Sequence, residues 1–130
     1  MAAPTMNPQL IKTLHDRAVA QLVTAHRQRT DEPLILAVRF NLNDPKGDIY
    51  LLEVLGNFPG GDDDELMATQ FGPSANLVIV GNLHLVLGSP AQVREAIKKG
   101  DSIIKTAKGG IVVYANRSAE ATNLRKALAL

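Results

Sequence analysis

Leu34-Ile35-Leu36-Ala37-Val38-Arg39-Phe40, then Asn41-Leu42-Asn43-Asp44-Pro45-Lys46-Gly47, then Asp48-Ile49-Tyr50-Leu51-Leu52-Glu53-Val54-Leu55 is the stretch on which the fold turns. The outer segments are short, apolar and partly β-branched, as strands are, and the middle one collects the Asn, Asp, Pro and Gly that favour turns. They read as paired antiparallel strands joined by a loop too long for a tight hairpin. Toward lower numbers, Asn7-Pro8 is a capping residue followed by proline at the first helical position. Leu10, Ile11, Leu14, Ala18, Leu22 and Ala25 then recur at helical steps, with Lys12, Asp16, Arg17, Gln21 and Arg27 largely on the other side. That helix is expected to end near Arg29, before a loop Thr30-Asp31-Glu32-Pro33, because a residue preceding proline is pushed out of helical geometry.

Toward higher numbers, Gly60 through Glu65 reads as an exposed acidic loop, and Leu66-Met67-Ala68 fits either a helical turn or a short strand. The runs 76–80 and 83–87, split by Gly81-Asn82, predict a hairpin with a two-residue turn. Ser89-Pro90 opens a second helix with a face of Val93, Ala96 and Ile97, closed by Gly100, and Asp101 can cap a further turn through Ile104. Ile111-Val112-Val113-Tyr114 is a final strand, and Ser118 caps a last helix carrying Ala121, Leu124, Leu128 and Ala129. The expected fold is therefore α/β (α+β), a single domain over 1–130 with a mixed sheet of four or five strands and helices packed on one face.

The 130 residues suit one domain, and 45% hydrophobic with 21% charged residues is ordinary globular composition. No apolar run approaches the ~20 residues of a membrane span. Without cysteine there is no disulfide framework, thiolate metal site or cysteine nucleophile. The opening MAAPTMNPQL has neither the charged nor the apolar region of a secretory signal, so the cytoplasm is the expected compartment. The net charge of +1 hides an uneven distribution: residues 1–33 sum to +1, residues 34–90 to −5 and residues 91–130 to +5. Such halves can hold a cation beside a phosphate or pair across the folded surface. Only two tyrosines and three phenylalanines are present, which supplies little stacking platform, so nucleic acid is not an expected partner and the basic third reads as a solvated helix face.

The segment Asn43-Asp44-Pro45-Lys46-Gly47-Asp48-Ile49-Tyr50-Leu51-Leu52 resembles part of the small nucleotidyltransferases of the polymerase-beta type. In that family a strand ends in Gly-Ser, an arginine-bearing helix follows, and a second strand begins Asp-hydrophobic-Asp and holds two magnesium ions. Asp48 matches the first metal ligand. Ser89-Pro90 through Tyr114, with Ala96-Ile97-Lys98-Lys99-Gly100-Asp101-Ser102 and Gly110-Ile111-Val112-Val113-Tyr114, resembles the closing helix and strand of the stand-alone members, so that the two stretches cover about half the chain. The departures are specific. Arg39-Phe40-Asn41 stands where Gly-Ser is expected, and Tyr50 where the second aspartate belongs. Asp48 and Glu53 are an odd number of strand positions apart and point to opposite faces, so Glu53 does not restore the pair. The resemblance implies a catalytically inactive relative. Read from the residues alone, Asp48 ends a turn before a strand.

Asp62-Asp63-Asp64-Glu65 makes Asp62 and Asp64, with Asp48, the metal candidates, although a contiguous run splays its side chains and lacks the alternating ligands and internal glycine of a calcium loop. His15, His26 and His84 form no ligand motif. His84, between Leu83 and Leu85 on a strand, is with Asp48 the candidate for catalysis, but as a general base it needs a carboxylate orienter and a nucleophile that the sequence does not assign. Ser74 and Ser89 lack a nucleophile-elbow context, and Lys108-Gly109-Gly110 is too short for a phosphate loop. Two functions stand: a non-catalytic binding or protein-interaction module without a cofactor, or a magnesium-dependent nucleotidyl-transfer enzyme with an unorthodox site around Asp48. A homodimer is expected, through the 76–87 hairpin edge or the terminal helix with Leu124, Leu128 and Leu130, because nearly unbroken apolar strands need cover on both faces.

Overall fold

A computed structural model describes residues 8–27, 33–42, 48–56, 66–71 and 82–130. In chain order the elements are α1 (Pro8–Arg27), β1 (Leu34–Phe40), β2 (Ile49–Leu55), β3 (Met67–Phe71), β4 (Leu83–Gly88), α2 (Pro90–Lys99), α3 (Ser102–Ala107), β5 (Ile111–Ala115) and α4 (Ala119–Ala127). β1 and β2 pair antiparallel as their composition and spacing lead one to expect, with Phe40 opposite Tyr50 and Leu34 opposite Leu55. The sheet order is β3-β4-β2-β1-β5, and β2 with β4 is the parallel pair in an otherwise antiparallel sheet. Among the described residues the result is an α/β fold with a five-stranded mixed sheet and four helices.

Local chemistry sets the element ends. Ser89 accepts a hydrogen bond from the Gln92 N–H while the Gln92 side chain accepts one from the Ser89 N–H, closing a capping box before Pro90. Gly100 ends α2 in the left-handed region at φ 68°, where a side chain is disfavoured. Asp101 accepts from the Ile103 N–H and starts α3, which runs past Ile104 to Ala107. Ser118 caps α4 through the Ala121 N–H. At Gly110 a Cβ would stand 2.5 Å from the Arg39 carbonyl oxygen, so the entry to β5 requires glycine.

Leu66-Met67-Ala68 is resolved in favour of a strand, since Met67 begins β3. The expected hairpin is different. Its first arm and Gly81 lie outside the described residues, and its second arm, β4, has both edges taken, by β2 and by β3. The Asn7 cap, the end of the first helix beyond Arg27, the 43–47 loop and the acidic 60–65 loop also lie outside the described residues.

Helices on one face of the sheet is an expectation the structure corrects. Leu36, Val38, Phe40, Leu52, Val54 and Val86 pack beneath Val93 and Ala96 of α2, Ile104 and Ala107 of α3, and Ala121, Leu124 and Leu128 around α4. Ala37, Ile49, Leu51, Leu55, Leu83 and Leu85 form the other face, covered by Ala18, Val19 and Val23 of α1. The two-sided burial is why β2 reads as an almost unbroken apolar run. No described helix is long and apolar enough to cross a membrane.

Candidate functional site

Residues of one parity on β2 share a face, and the parallel register with β4 sets Tyr50 beside His84. Their rings stack with centroids 4.3 Å apart and planes 5° from parallel, and Phe40, opposite Tyr50 on β1, adds a tilted contact at 5.7 Å. A row of three rings therefore crosses β1, β2 and β4 on the face covered by α2, α3 and α4.

Asp48, one residue before β2 and in phase with Tyr50, is nearly buried, its side chain 6% exposed. Its Oδ2 lies 2.8 Å from His84 Nε2, and its Oδ1 accepts the Asn82 N–H at 2.9 Å. The Ile49 N–H donates in return to the Asn82 carbonyl at 2.9 Å, so Asp48 and Asn82 clasp the starts of the two parallel strands. A carboxylate only accepts, which places the proton of the neutral imidazole on Nε2 and the lone pair on Nδ1. Thus the fold brings together the two residues singled out for catalysis and supplies the orienter that the sequence could not assign.

Beside the pair is a cavity of about 290 Å³, walled by Phe40, Tyr50, Val86 and Ile103, with Asn41, Ser102 and Thr106 as its polar members. Of its two hydroxyls, Thr106 Oγ1 donates to the Ser102 carbonyl within α3, and Ser102 is exposed at the start of that helix. Ser89 is a cap, and Ser74 lies outside the described residues.

The opposite face holds a different arrangement. Glu53, 0% exposed, places Oε2 2.5 Å from His26 Nδ1 of α1, while Oε1 has no hydrogen-bond partner among the described residues. Asp48 and Glu53 accordingly lie on opposite faces, as their spacing requires. Farther along α1, Arg39 donates to Asp16 at 2.6 Å and approaches the buried His15 at 3.4 Å. The hydrogen bond from Lys12, and then the charges of Lys12 and Arg39, hold the Asp16 carboxyl below its ordinary range against the opposing effect of burial.

The three histidines do not converge: His15 and His26 belong to the α1 layer, and His84 faces the other helices. Asp62 and Asp64 lie outside the described residues, and among the described residues no group of three or more His, Asp or Glu is placed to hold a metal. What the sequence reading missed is the Tyr50 stack on His84 and the Glu53–His26 pair. An acid inside Leu51-Leu52-Glu53-Val54-Leu55 was the available signal for the second, because a carboxylate in a two-sided strand must find a buried partner. The chain matches no family model, and comparison with curated proteins and with solved structures finds no similar protein.

Proposed function

We propose that the chain is a non-catalytic binding or protein-interaction module, a nucleotidyltransferase-like domain without a working metal site, acting in the cytoplasm as a homodimer and with a partner protein. The observation that carries the reading is the state of Asp48, the residue aligned with the family's first metal ligand. Both of its oxygens are committed to protein donors, His84 and the Asn82 N–H. Two-metal catalysis requires carboxylates that share ions on one face, and the same-face position two residues on is Tyr50, an aromatic ring stacked on His84.

Calorimetric titration of ATP with magnesium tests this. The expected result is no saturable heat up to about millimolar nucleotide, the weak end of specific binding. Saturable binding that disappears in a folded Asp48→Asn variant overturns the module in favour of a magnesium-dependent nucleotidyl-transfer enzyme.

The surfaces first suggested for a dimer are occupied within the chain: β4 is interior to the sheet, and Leu124 and Leu128 are buried. Self-association is therefore assigned to the outer edge of β5, where Ile111 and Val113 are 52% and 36% exposed. An antiparallel strand paired with its own copy around Val113 sets Ile111 against Ala115, the self-complementary geometry of a two-fold interface. Light scattering checks it: a mass that stays near 14.0 kDa up to about hundred-micromolar protein rules out a dimer of ordinary micromolar strength.

A further inference from the structure

The cavity beside Asp48 and His84 has an uneven lining. Its walls are mostly apolar, with the rings of Phe40 and Tyr50 and the side chain of Ile103, yet three of its polar members have hydrogen-bonding capacity that the fold does not use. His84 bonds to Asp48 through Nε2 and to no other group among the described residues, and its side chain is still 26% exposed. The Asn41 amide and the Ser102 hydroxyl likewise make no hydrogen bond among the described residues. Thr106 differs, because its hydroxyl is already satisfied by the Ser102 carbonyl. Strand pairing accounts for Asp48, through the clasp with Asn82, but it asks nothing of His84 Nδ1.

Each of the three is held by local structure. The Asp48 carboxylate at 2.8 Å and the Tyr50 ring stacked at 4.3 Å fix the imidazole, leaving Nδ1 as an acceptor. Ser102 opens α3, whose start is set by the Asp101 cap. Asn41 follows β1 at φ 50°, in the left-handed region, where glycine is least costly and asparagine is one of the few side chains tolerated. Glycine there would ease the backbone and leave the cavity without its amide. Apolar walls with a few fixed polar groups are the usual make-up of a small-molecule site. Size and charge then limit the guest. An apolar cavity of about 150 Å³ holds benzene, so one of about 290 Å³ holds a single ring with its substituents. No Lys or Arg is among the described lining residues, so a carboxylate or phosphate would enter without a compensating charge.

We infer that this cavity is a binding site for a small uncharged aromatic or heteroaromatic ring that donates an O–H or N–H to His84 Nδ1. The ring is buried against the apolar walls, and its remaining polar substituents meet Asn41 and Ser102. The donor is what the site selects, because a ring without one leaves the oriented acceptor unpaired once water is displaced. The inference rests on the module reading, in which Asp48 serves His84 and not a metal ion.

Heteronuclear NMR titration of the isotope-labelled full chain with phenol, anisole and benzoate tests the site, since the three share a ring and differ in donor and charge. Phenol is expected to shift the amide signals of Asn41, Ser102 and Thr106 saturably, with a Kd of about millimolar order, ordinary for so few atoms. Anisole, whose oxygen carries no proton, is expected to bind at least about tenfold more weakly, and benzoate to give no saturable shift. His84→Phe keeps a ring beside Tyr50 and removes the acceptor, so phenol should fall to the affinity of anisole. If circular dichroism shows that variant unfolded, His84→Phe with Asp48→Asn takes its place, because no buried carboxylate is then left unpaired. Absence of saturable phenol binding, a smaller gap between phenol and anisole, saturable benzoate binding, shifts gathered on α1 and β5 instead, or phenol affinity unchanged in the His84 variant each overturns the assignment. Any of these with magnesium-ATP still unbound defeats this inference alone, whereas magnesium-ATP binding that is lost in Asp48→Asn defeats the module reading beneath it.

Discussion

Glu53 shows how one side chain can tie a helix to a sheet. It is fully buried, bonded through one oxygen to His26 of α1, and its other oxygen lacks a partner among the described residues. Removing the partner of a buried charge costs far more than replacing the pair by apolar groups. His26→Ala is accordingly expected to lower unfolding stability by about 3 kcal/mol, and His26→Leu with Glu53→Leu to be close to neutral, both measured by urea denaturation. Equal losses in the two variants would show that packing, not charge, dominates there. Asp16 makes a smaller, pH-dependent contribution. Its folded carboxyl is held below the ordinary value of 3.8, chiefly by the Lys12 hydrogen bond. Its stabilisation is thus present above that value and is lost as the pH falls through the depressed one. Because the side chain is 47% exposed, Asp16→Asn should cost under about 0.5 kcal/mol near neutral pH and nothing in strong acid, a difference that denaturation at several pH values resolves. At this scale the sequence named Asp48 and His84 individually but could not join them, because their contact depends on a parallel register between segments more than thirty residues apart.

The elements divide by how local their determinants are. The cap residues were legible: Ser89-Pro90, Gly100, Asp101 and Ser118 all act where their chemistry places them, since a cap needs only its own next few residues. Ser89→Ala removes the side-chain half of the α2 capping box and is expected to cost about 1 kcal/mol, read from the shift in denaturant midpoint. Gly110→Ala must move the Arg39 carbonyl at 2.5 Å and is expected to cost about 2 kcal/mol, as overpacking does, with hydrogen exchange rising at the β1–β5 pairing. A smaller loss than in Gly109→Ala, where a Cβ meets nothing within 4 Å but φ is 71°, would mean that backbone conformation outweighs the contact. Strand partners were less legible. Gly81-Asn82 gives a sound local signal for a turn, yet β4 takes β2 and β3 as neighbours, and only competition among all the strands decides that outcome.

Among the described residues, the helices divide unequally between the two faces of the sheet: α1 covers one, and α2, α3 and α4 cover the other. This division escaped the sequence because helical periodicity says which side of a helix is apolar and not which side of a sheet receives it. Removing residues 1–33 should uncover Ala37, Leu51, Leu83 and Leu85 together, turning the chain aggregation-prone, with increased binding of a hydrophobic dye as the check. The placement of β5 has a consequence for how the chain is made. β1 has its inner neighbour β2 within the next few residues, but its outer neighbour begins only at Ile111. Synthesis runs from the N-terminal side, so β1 emerges after α1 but with a bare edge and with the face that α2, α3 and α4 cover still open, while those helices are yet to be translated. The nascent chain is most open to pairing through β1 in that interval, and the arrival of Ile111–Ala115 covers that edge and moves the open edge of the sheet to β5.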